Sequence, residues 1–134
     1  GAVPIFLGIA GDSEVEFIKK AVSGKLEGRP AYDVLVTSGG VSMGDADPVK
    51  IAVRESGTVH FGRMRMKPGK PTTFATVDVK ETSGDSKETQ RRIAVFSLPG
   101  NPVSCAVTFQ LIVNTGLRIL MGDPEPKPRP ALTA

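Results

Sequence analysis

The segment DVLVTSGG, at residues 33–40, decides the fold class of this chain. Its apolar and β-branched part, residues 33–37, predicts a short buried strand. Gly39 and Gly40 follow directly, and glycines allow a sharp turn and a close approach of the backbone to a ligand. Upstream, residues 5–9 (IFLGI) predict another buried strand, with a helix between the two. A strand, a helix and a second strand form a parallel crossover unit, so the sequence predicts an α/β domain.

Two helices are marked by their start signals. Ser13 and Glu16 have the spacing of a capping box, which satisfies free backbone amides at a helix start. Four apolar residues then recur at helical spacing and predict one buried face: Val15, Ile18, Val22 and Leu26. Asp47 and Pro48 predict the cap and the first residue of a second helix, which runs to about Glu55.

The chain after this helix predicts a pair of strands. Residues 58–66 and 72–79 are rich in β-formers, and residues 67–71 (KPGKP) predict a rigid turn between them. A bulge near Gly62 is predicted, because one inserted residue returns the apolar side chains of the first strand to one face. Three side chains would then share the other face: His60, Arg63 and Arg65.

The remaining elements are a loop, a strand and a long helix. The polar residues 80–92 lack apolar periodicity and predict a solvated hairpin loop, whereas residues 93–98 predict a buried strand. Residues 99–102 (PGNP) lead into a helix that ends near Met121, with Gly122 as its C-cap. This helix is apolar almost all round, so it is either deeply buried or part of an interface.

Composition excludes several classes of protein. The chain has 134 residues, a net charge of +3 and 5% aromatic residues, which predicts one domain and does not favour nucleic-acid binding. The single cysteine, Cys105, excludes an internal disulfide, and Cys105 with His60 offers too few ligands for a structural zinc site. No apolar stretch approaches the roughly 20 residues of a membrane span. We expect a cytoplasmic domain at residues 1–122 without membrane insertion, followed by a proline-rich linker at residues 123–134.

Three loops carry residues that suit anionic ligands. In open α/β sheets, ligands bind beyond the carboxyl ends of strands, and the loop at residues 38–47 follows a predicted strand. This loop offers glycine backbone, hydroxyl donors and two carboxylates with hard oxygens for magnesium: Ser38, Gly39, Gly40, Ser42, Asp45 and Asp47. The alternative for Asp47 is a plain helix cap, and the two roles are compatible.

The other two loops supply positive charge and a helix start. Between residues 66 and 73, fixed prolines hold Lys67 and Lys70, which suits the binding of an oxyanion. A tight hairpin with solvent-facing lysines is the alternative. At residues 98–104, Asn101 predicts a helix cap and Ser104 lies in the first turn, where free amides bind anions. Capping alone explains Asn101 equally well.

Three long segments in this order resemble one protein family: DVLVTSGGVSMGDADPVK (33–50), HFGRMRMKPGKPTTFATV (60–77) and SLPGNPVSCAV (97–107). They are similar to the molybdopterin molybdenumtransferases, or molybdenum insertases, which include the E domain of gephyrin. The resemblance implies a molybdopterin-binding α/β fold, a three-layer sandwich with a mostly parallel sheet plus a β-hairpin. It also implies molybdenum cofactor biosynthesis, in which molybdenum from molybdate enters adenylylated molybdopterin with Mg2+-dependent release of AMP.

The resemblance implies a role for each site residue. Asp47 and Asp45 would be the catalytic carboxylates that bind the metal, with Lys70 as the third catalytic residue. Lys70, Pro71 and Ser104 would form part of the molybdate pocket. Lys67 would add positive charge near that pocket. The other substrate-binding residues would be Ser38, Gly39, Gly40, Ser42 and Asn101.

The chain departs from the full family pattern at both ends. It begins after the family's first strand, which carries an acidic Thr-Gly-Asp loop, and stops before a β-barrel subdomain. We therefore expect a partial catalytic subdomain with weak or absent turnover by itself. The family also implies a homodimer and a molybdopterin adenylyltransferase domain as the donor of the substrate. Two alternatives stay open. One is a molybdopterin adenylyltransferase, whose strand-end loop is of Thr-Gly-Gly-Thr-Gly type. The other is a gephyrin-like receptor scaffold, which binding of a receptor-loop peptide to the chain would support.

Overall fold

The computed structural model describes residues 1–11, 13–40, 47–83 and 87–127. These residues form one four-stranded sheet, in the order β1, β4, β3, β2. The strands are β1 (Val34–Ser38), β2 (Thr58–Phe61), β3 (Thr73–Ser83) and β4 (Lys87–Leu98). β1 and β4 are parallel, whereas β4 with β3 and β3 with β2 are antiparallel. The expectation of a mostly parallel sheet is therefore wrong for the described residues, because the neighbours β2, β3 and β4 run alternately.

Helices pack on both faces of this sheet, which confirms the α/β class. The helices are α1 (Val15–Val22), α2 (Pro48–Ser56), α3 (Pro102–Thr108) and α4 (Asn114–Leu120). In β4, Ile93 and Val95 belong to a first core shared with α1 and α2. Phe96 and Leu98 belong to a second core with Val113, just before α4. Successive side chains of a strand point to opposite faces, so the two cores lie on opposite faces of the sheet.

Residues 5–9 do not form the predicted buried strand. Phe6 is 74% exposed and Ile9 is 89% exposed, and within this segment Leu7 packs against the first core. A strand needs a neighbour that accepts its backbone hydrogen bonds, and among the described residues β1 pairs with β4 alone. The predicted crossover unit is therefore wrong, because apolar composition without a pairing partner does not make a strand.

The start and the end of α1 also differ from prediction. The predicted capping box of Ser13 and Glu16 does not form, because the residue at the N-cap position is Glu14 and its side chain makes no cap. Glu14 Oε2 instead accepts a hydrogen bond from the Gly11 amide at 2.7 Å. α1 ends at Val22, before Leu26 of the predicted buried face, and Gly24 turns the chain with a φ of +68°. Leu26 still packs against the first core from outside the helix.

The predicted bulge is confirmed, but it lies slightly earlier in the chain. The register between β2 and β3 shifts between Val59 and Phe61, so His60 is the inserted residue. Its Nε2 lies 2.9 Å from Thr76 Oγ1, and its ring stacks on Phe74 with centroids 5.1 Å apart. β2 ends at Phe61, so Arg63 and Arg65 do not share a strand face with His60 as predicted. The chain turns there, with the Met64 amide donating to the Lys70 carbonyl oxygen at 2.9 Å.

The described parts of the polar stretch, residues 80–83 and 87–92, are strand rather than the predicted loop. β3 continues to Ser83 and β4 begins at Lys87, so the pair forms a long ribbon. Cross-strand ion pairs line it: Arg92 Nε lies 2.6 Å from Asp78 Oδ1, and Arg91 Nη2 lies 2.7 Å from Glu81 Oε1. A two-stranded ribbon with both faces in water needs no apolar alternation, which is why the pattern resembled a loop.

The long helix begins and ends as predicted, but it is interrupted. Asn101 caps α3, and Gly122, with a φ of +77°, follows α4. A π-helical turn, Phe109–Val113, joins α3 to α4 and was not predicted. Two apolar side chains of α4 are exposed, Ile119 at 57% and Leu120 at 59%, so deep burial of the whole helix within the described residues is excluded.

This helical stretch also corrects one exclusion made from the sequence. Within the described residues, Pro102–Leu120 is long and apolar enough to cross a membrane, with 19 residues and a mean hydropathy of 1.4. The expectation that no stretch approaches this length is therefore wrong. Such a helix is weak evidence for a membrane span, because the sheet-covering helix of a globular domain has the same composition. Val113 belongs to the second core, and Cys105 and Leu117 pack against it, so one side of this helix covers the sheet.

Tyr32 links α1 to the chain just before β1, and the contribution of its hydroxyl group to stability can be tested. Its hydroxyl donates to the Ala21 carbonyl oxygen, and Arg91 donates to the Tyr32 carbonyl oxygen. We expect Tyr32→Phe to lower the free energy of unfolding by about 1 kcal/mol at pH 7, the usual worth of one hydrogen bond. Burial raises the pKa of Tyr32 above 10.0. The stabilisation is therefore complete below about pH 10 and is lost as the pH rises through the folded pKa.

Urea unfolding of the wild type and of Tyr32→Phe between pH 7 and pH 11 measures this contribution. The gap between the two proteins should close at the alkaline end, because the ionised oxygen can no longer donate to Ala21. A gap that stays constant over the whole range would contradict the role of the hydroxyl.

Candidate functional site

The carboxyl ends of β1 and β4 meet at one edge of the sheet. The two strands are parallel, with Ser38 opposite Leu98. The Gly39 amide donates to the Leu98 carbonyl oxygen at 3.1 Å, and Ser38 Oγ donates to the Pro99 carbonyl oxygen at 3.5 Å. The loops that follow these strands therefore start side by side, at the position where open α/β sheets bind ligands.

Glycines allow these two loops to approach each other closely. Gly39 and Gly40 have φ values of +84° and +65°, a conformation that side chains disfavour. A Cβ on Gly100 would lie 3.3 Å from Gly39 Cα, tighter than most real contacts. The backbone conformation therefore favours glycine at residues 39 and 40, whereas the predicted close approach of this backbone to a ligand stays a prediction.

Asp47 lies beside this edge, since a Cβ added to Gly40 would lie 4.0 Å from Asp47 Oδ1. Its two carboxylate oxygens are in different surroundings. Asp47 is 3% exposed, and its Oδ1 accepts the amides of Val49 and Lys50 at 2.9 and 3.3 Å. The predicted helix cap is therefore confirmed. Oδ2 is buried and has no hydrogen-bond partner among the described residues. A carboxylate oxygen left in this way fits Mg2+, which takes one or two carboxylates together with water and substrate phosphates.

The rest of the predicted metal site is not described. Asp45 and Ser42 lie outside the described residues. In the described part of the chain, no group of three or more His, Cys, Asp or Glu side chains is placed to hold a metal ion.

The turn at residues 67–71 is fixed to the body of the domain. Gly69 is buried, and its carbonyl oxygen accepts the Thr72 hydroxyl at 2.7 Å. Lys67 and Lys70 are exposed, and Pro71 is half-buried. β3 begins at Thr73, which pairs with Ser97 near the end of β4, so this turn reaches the same edge of the sheet. The turn is fixed as predicted, but both lysines are exposed, so the alternative of a tight hairpin with solvent-facing lysines stays open.

The third loop offers fewer free donors than predicted. Asn101 Oδ1 accepts the amides of Val103 and Ser104, both at 3.1 Å, and lies 3.4 Å from Ser104 Oγ. These two amides are therefore occupied by the cap, which corrects the expectation of free amides for an anion. Asn101 is exposed and Ser104 is half-buried, so both side chains can reach a ligand at the edge.

Comparison with known proteins shows the family of this chain. The family described as "Probable molybdopterin binding domain" matches residues 1–119 of the chain. The chain belongs to this family. The resemblance found in the sequence is thereby confirmed, and its three long segments all lie within the matched residues.

The curated relatives of this molybdopterin binding domain are much longer proteins. "Gephyrin" of Dictyostelium discoideum is 53% identical over 93 residues, which are 67% of this chain and 13% of that protein. "Molybdopterin molybdenumtransferase" of Haemophilus influenzae is 35% identical over 130 residues, which are 97% of this chain and 28% of that protein. "Molybdenum cofactor synthesis protein cinnamon" of Drosophila melanogaster is 42% identical over 91 residues, 67% of this chain and 13% of that protein. The chain thus spans from 13% to 28% of the length of these relatives.

Charge around the edge of this molybdopterin binding domain is divided. Residues 56–77 contain no acidic side chain, and four cations of that segment are exposed: Arg63, Arg65, Lys67 and Lys70. Asp47 brings a buried negative charge from the other side, and Lys50 is buried in the same turn. Lysines on one side and a carboxylate on the other suit an anionic ligand that carries a cation.

A set of buried hydroxyl groups at the same edge was not predicted from the sequence. Thr37, Ser97 and Thr73 occupy paired positions on β1, β4 and β3, and we name them the hydroxyl row. Each lies at or next to the end of an apolar strand run, which was the signal available in the sequence. Their alignment depends on strand register, and an apolar pattern alone does not give the register of β1 and β4.

Proposed function

We propose that the chain is the ligand-binding part of a molybdenum insertase in molybdenum cofactor biosynthesis. It would hold adenylylated molybdopterin and molybdate while molybdenum enters the dithiolene and AMP leaves. The observation that carries this proposal is the buried Oδ2 of Asp47, which has no partner among the described residues, beside the glycine loops at the ends of β1 and β4. Relatives with the name molybdopterin molybdenumtransferase support the insertase over an adenylyltransferase.

Different residues of the site would bind different parts of the ligand. Asp47 would hold Mg2+, which when bound offsets the charge of the phosphoanhydride. The exposed Lys67 and Lys70 would attract molybdate, and the fixed turn keeps both lysines in place without an ordering cost. The other groups of the pocket would be Ser38, Gly39, Gly40, Pro71, Asn101 and Ser104. Ser42 and Asp45 stay predictions for the same loop.

The whole protein would supply the rest of the site. The open edge of β1 lies beside a cavity of about 1180 Å3, lined by Thr37, Gly40 and Val49 among others. We propose a three-layer molybdopterin-binding subdomain at residues 1–122 and a linker at residues 123–134 that leads to a barrel subdomain. The whole protein would be a cytoplasmic homodimer that receives its substrate from a molybdopterin adenylyltransferase domain. Turnover by the chain alone would be weak.

Calorimetry of AMP binding tests this proposal with the variant Asp47→Asn. Asparagine caps helices as well as aspartate does, so the variant keeps α2 and removes the charge. We expect wild-type binding to depend on Mg2+ and the variant to lose at least about tenfold in affinity, or about 1.4 kcal/mol. Repeating the titration with adenylylated molybdopterin should show the same dependence.

Asp33→Asn is the matched control, because it removes the same charge from an exposed residue just before the other end of β1. This control should bind AMP as the wild type does. An AMP affinity that changes neither with Mg2+ nor with the substitution at Asp47 would show that Asp47 is a helix cap alone. The insertase proposal would then lose its metal site.

A further inference from the structure

Four buried side-chain oxygens of the described residues have no hydrogen-bond partner, and they lie at one end of the sheet. They are Thr37 Oγ1, Ser97 Oγ, Thr73 Oγ1 and Asp47 Oδ2. Buried polar atoms are paired with protein or water in about nine of ten cases, because an unpaired one costs free energy. Two other buried hydroxyls follow that rule. Thr72 Oγ1 donates to the Gly69 carbonyl oxygen, and Thr108 Oγ1 donates to the Ser104 carbonyl oxygen at 2.8 Å. The unpaired set is therefore a local feature.

The hydroxyl row crosses three strands at one level. Thr37 pairs with Ser97 across β1 and β4, and Thr73 pairs with Ser97 across β3 and β4. Paired residues point to the same face, and Ser97 lies two residues after Val95 of the first core. The row thus faces the side of the sheet that carries α2, whose first turn is capped by Asp47.

The spacing of the row suits water. Directly paired strand residues have Cβ atoms about 4.5–5.5 Å apart. The three hydroxyls make no hydrogen bond to one another. A water molecule between two such oxygens can bond both, and a buried water needs two to four polar partners. Of the three hydroxyl residues, Thr37 lines the cavity beside β1, together with Gly40 and Val49.

We propose that the hydroxyl row binds the water ligands of a divalent cation held by Asp47 Oδ2, so that Thr37, Ser97 and Thr73 position the cation. This inference rests on the proposed function, which assigns the cation to Asp47. Mg2+ keeps several of its waters, and these waters donate both protons, so they need acceptors. A hydroxyl oxygen has two lone pairs to offer. An oxyanion in the same place would be repelled by the carboxylate.

Titration of the chain with Mn2+, followed by water-proton relaxation, tests the proposal without catalysis. We expect Ser97→Ala to weaken Mn2+ binding about tenfold, the lower end of the effect of removing an outer partner of a metal site. Thr37→Val, which keeps the shape and removes the hydroxyl, should weaken it in the same direction. Asp47→Asn should abolish saturable binding.

Thr108→Val is the matched control, because it removes a buried hydroxyl that already bonds within its helix. It should bind Mn2+ as the wild type does. Unchanged binding in both Ser97→Ala and Thr37→Val, together with loss in Asp47→Asn, would overturn the role of the row and leave the cation at Asp47 intact. A wild type without saturable Mn2+ binding would overturn the inference and the metal site of the proposed function together.

Discussion

Gly57→Ala is expected to lower the free energy of unfolding by about 3 kcal/mol, the upper end of the usual cost of overpacking. Gly57 follows α2, where the helix end meets β3. A Cβ there would lie 2.2 Å from the Thr76 carbonyl oxygen and 2.8 Å from Val77 Cγ2. The nearer atom belongs to the backbone of a paired strand, so a rotamer change cannot relieve the contact. The φ of −158° is extended backbone, and the expected effect is therefore entirely steric. Urea unfolding followed by circular dichroism measures it.

Gly28→Ala is the control that separates steric contact from backbone strain. Gly28 has a φ of +70°, and a Cβ there meets no atom within 4 Å. We expect this variant to cost about 1 kcal/mol, the price of a left-handed conformation alone. Equal losses in the two variants, or a loss below 1 kcal/mol in Gly57→Ala, would mean that α2 does not sit this closely on β3.

The elements that could be predicted from the sequence are those with local signals. β1 and the buried half of β4 are apolar runs. The bounds of β1 differ by one residue from the predicted ones, and the strand predicted at residues 93–98 forms the second half of β4. Asp47 and Asn101, each followed by proline, cap α2 and α3 as predicted. A capping side chain and its amides lie within three residues of each other, so no distant contact is needed to form them.

The wrong predictions concern elements whose state depends on distant partners. Residues 5–9 have the composition of a strand, yet among the described residues no neighbouring strand pairs with them. Residues 80–92 have the composition of a loop, yet each strand of the ribbon supplies the other's hydrogen bonds and ion pairs. The amino-acid composition of a segment indicates whether it is buried, whereas its hydrogen bonding with a neighbouring strand decides whether it is a strand.

The candidate site shows the same division. The glycine loop, the lysine turn and the capped helix start were each visible in the sequence, and both roles considered for Asp47 fit its two oxygens. The hydroxyl row was not visible, because it exists only through the register of Ser97 with Thr37 and Thr73. A one-residue slip of β4 would turn Ser97 to the opposite face.

Gly69→Ala is expected to lower the free energy of unfolding by about 3 kcal/mol and to weaken molybdate binding. Gly69 has a φ of +111°, and the left-handed region costs a side chain about 1–2 kcal/mol. A Cβ there would also lie 2.5 Å from Thr108 Cγ2 in α3, and overpacking adds about 1–3 kcal/mol. Relief requires the turn to move away from α3, and Lys67 and Lys70 move with it. Urea unfolding and calorimetric titration with molybdate measure the two effects.

Gly62→Ala is the matched control in the same connection between β2 and β3. A Cβ at Gly62 would meet Thr73 Oγ1 at 3.9 Å, an ordinary contact, and Gly62 has no positive φ. Its stability and molybdate affinity should stay close to those of the wild type. Loss of molybdate affinity with unchanged stability in Gly69→Ala would contradict the close packing of the turn on α3. Lost stability with unchanged affinity would instead remove the lysines of this turn from the oxyanion site, because their displacement would then have no effect on the ligand.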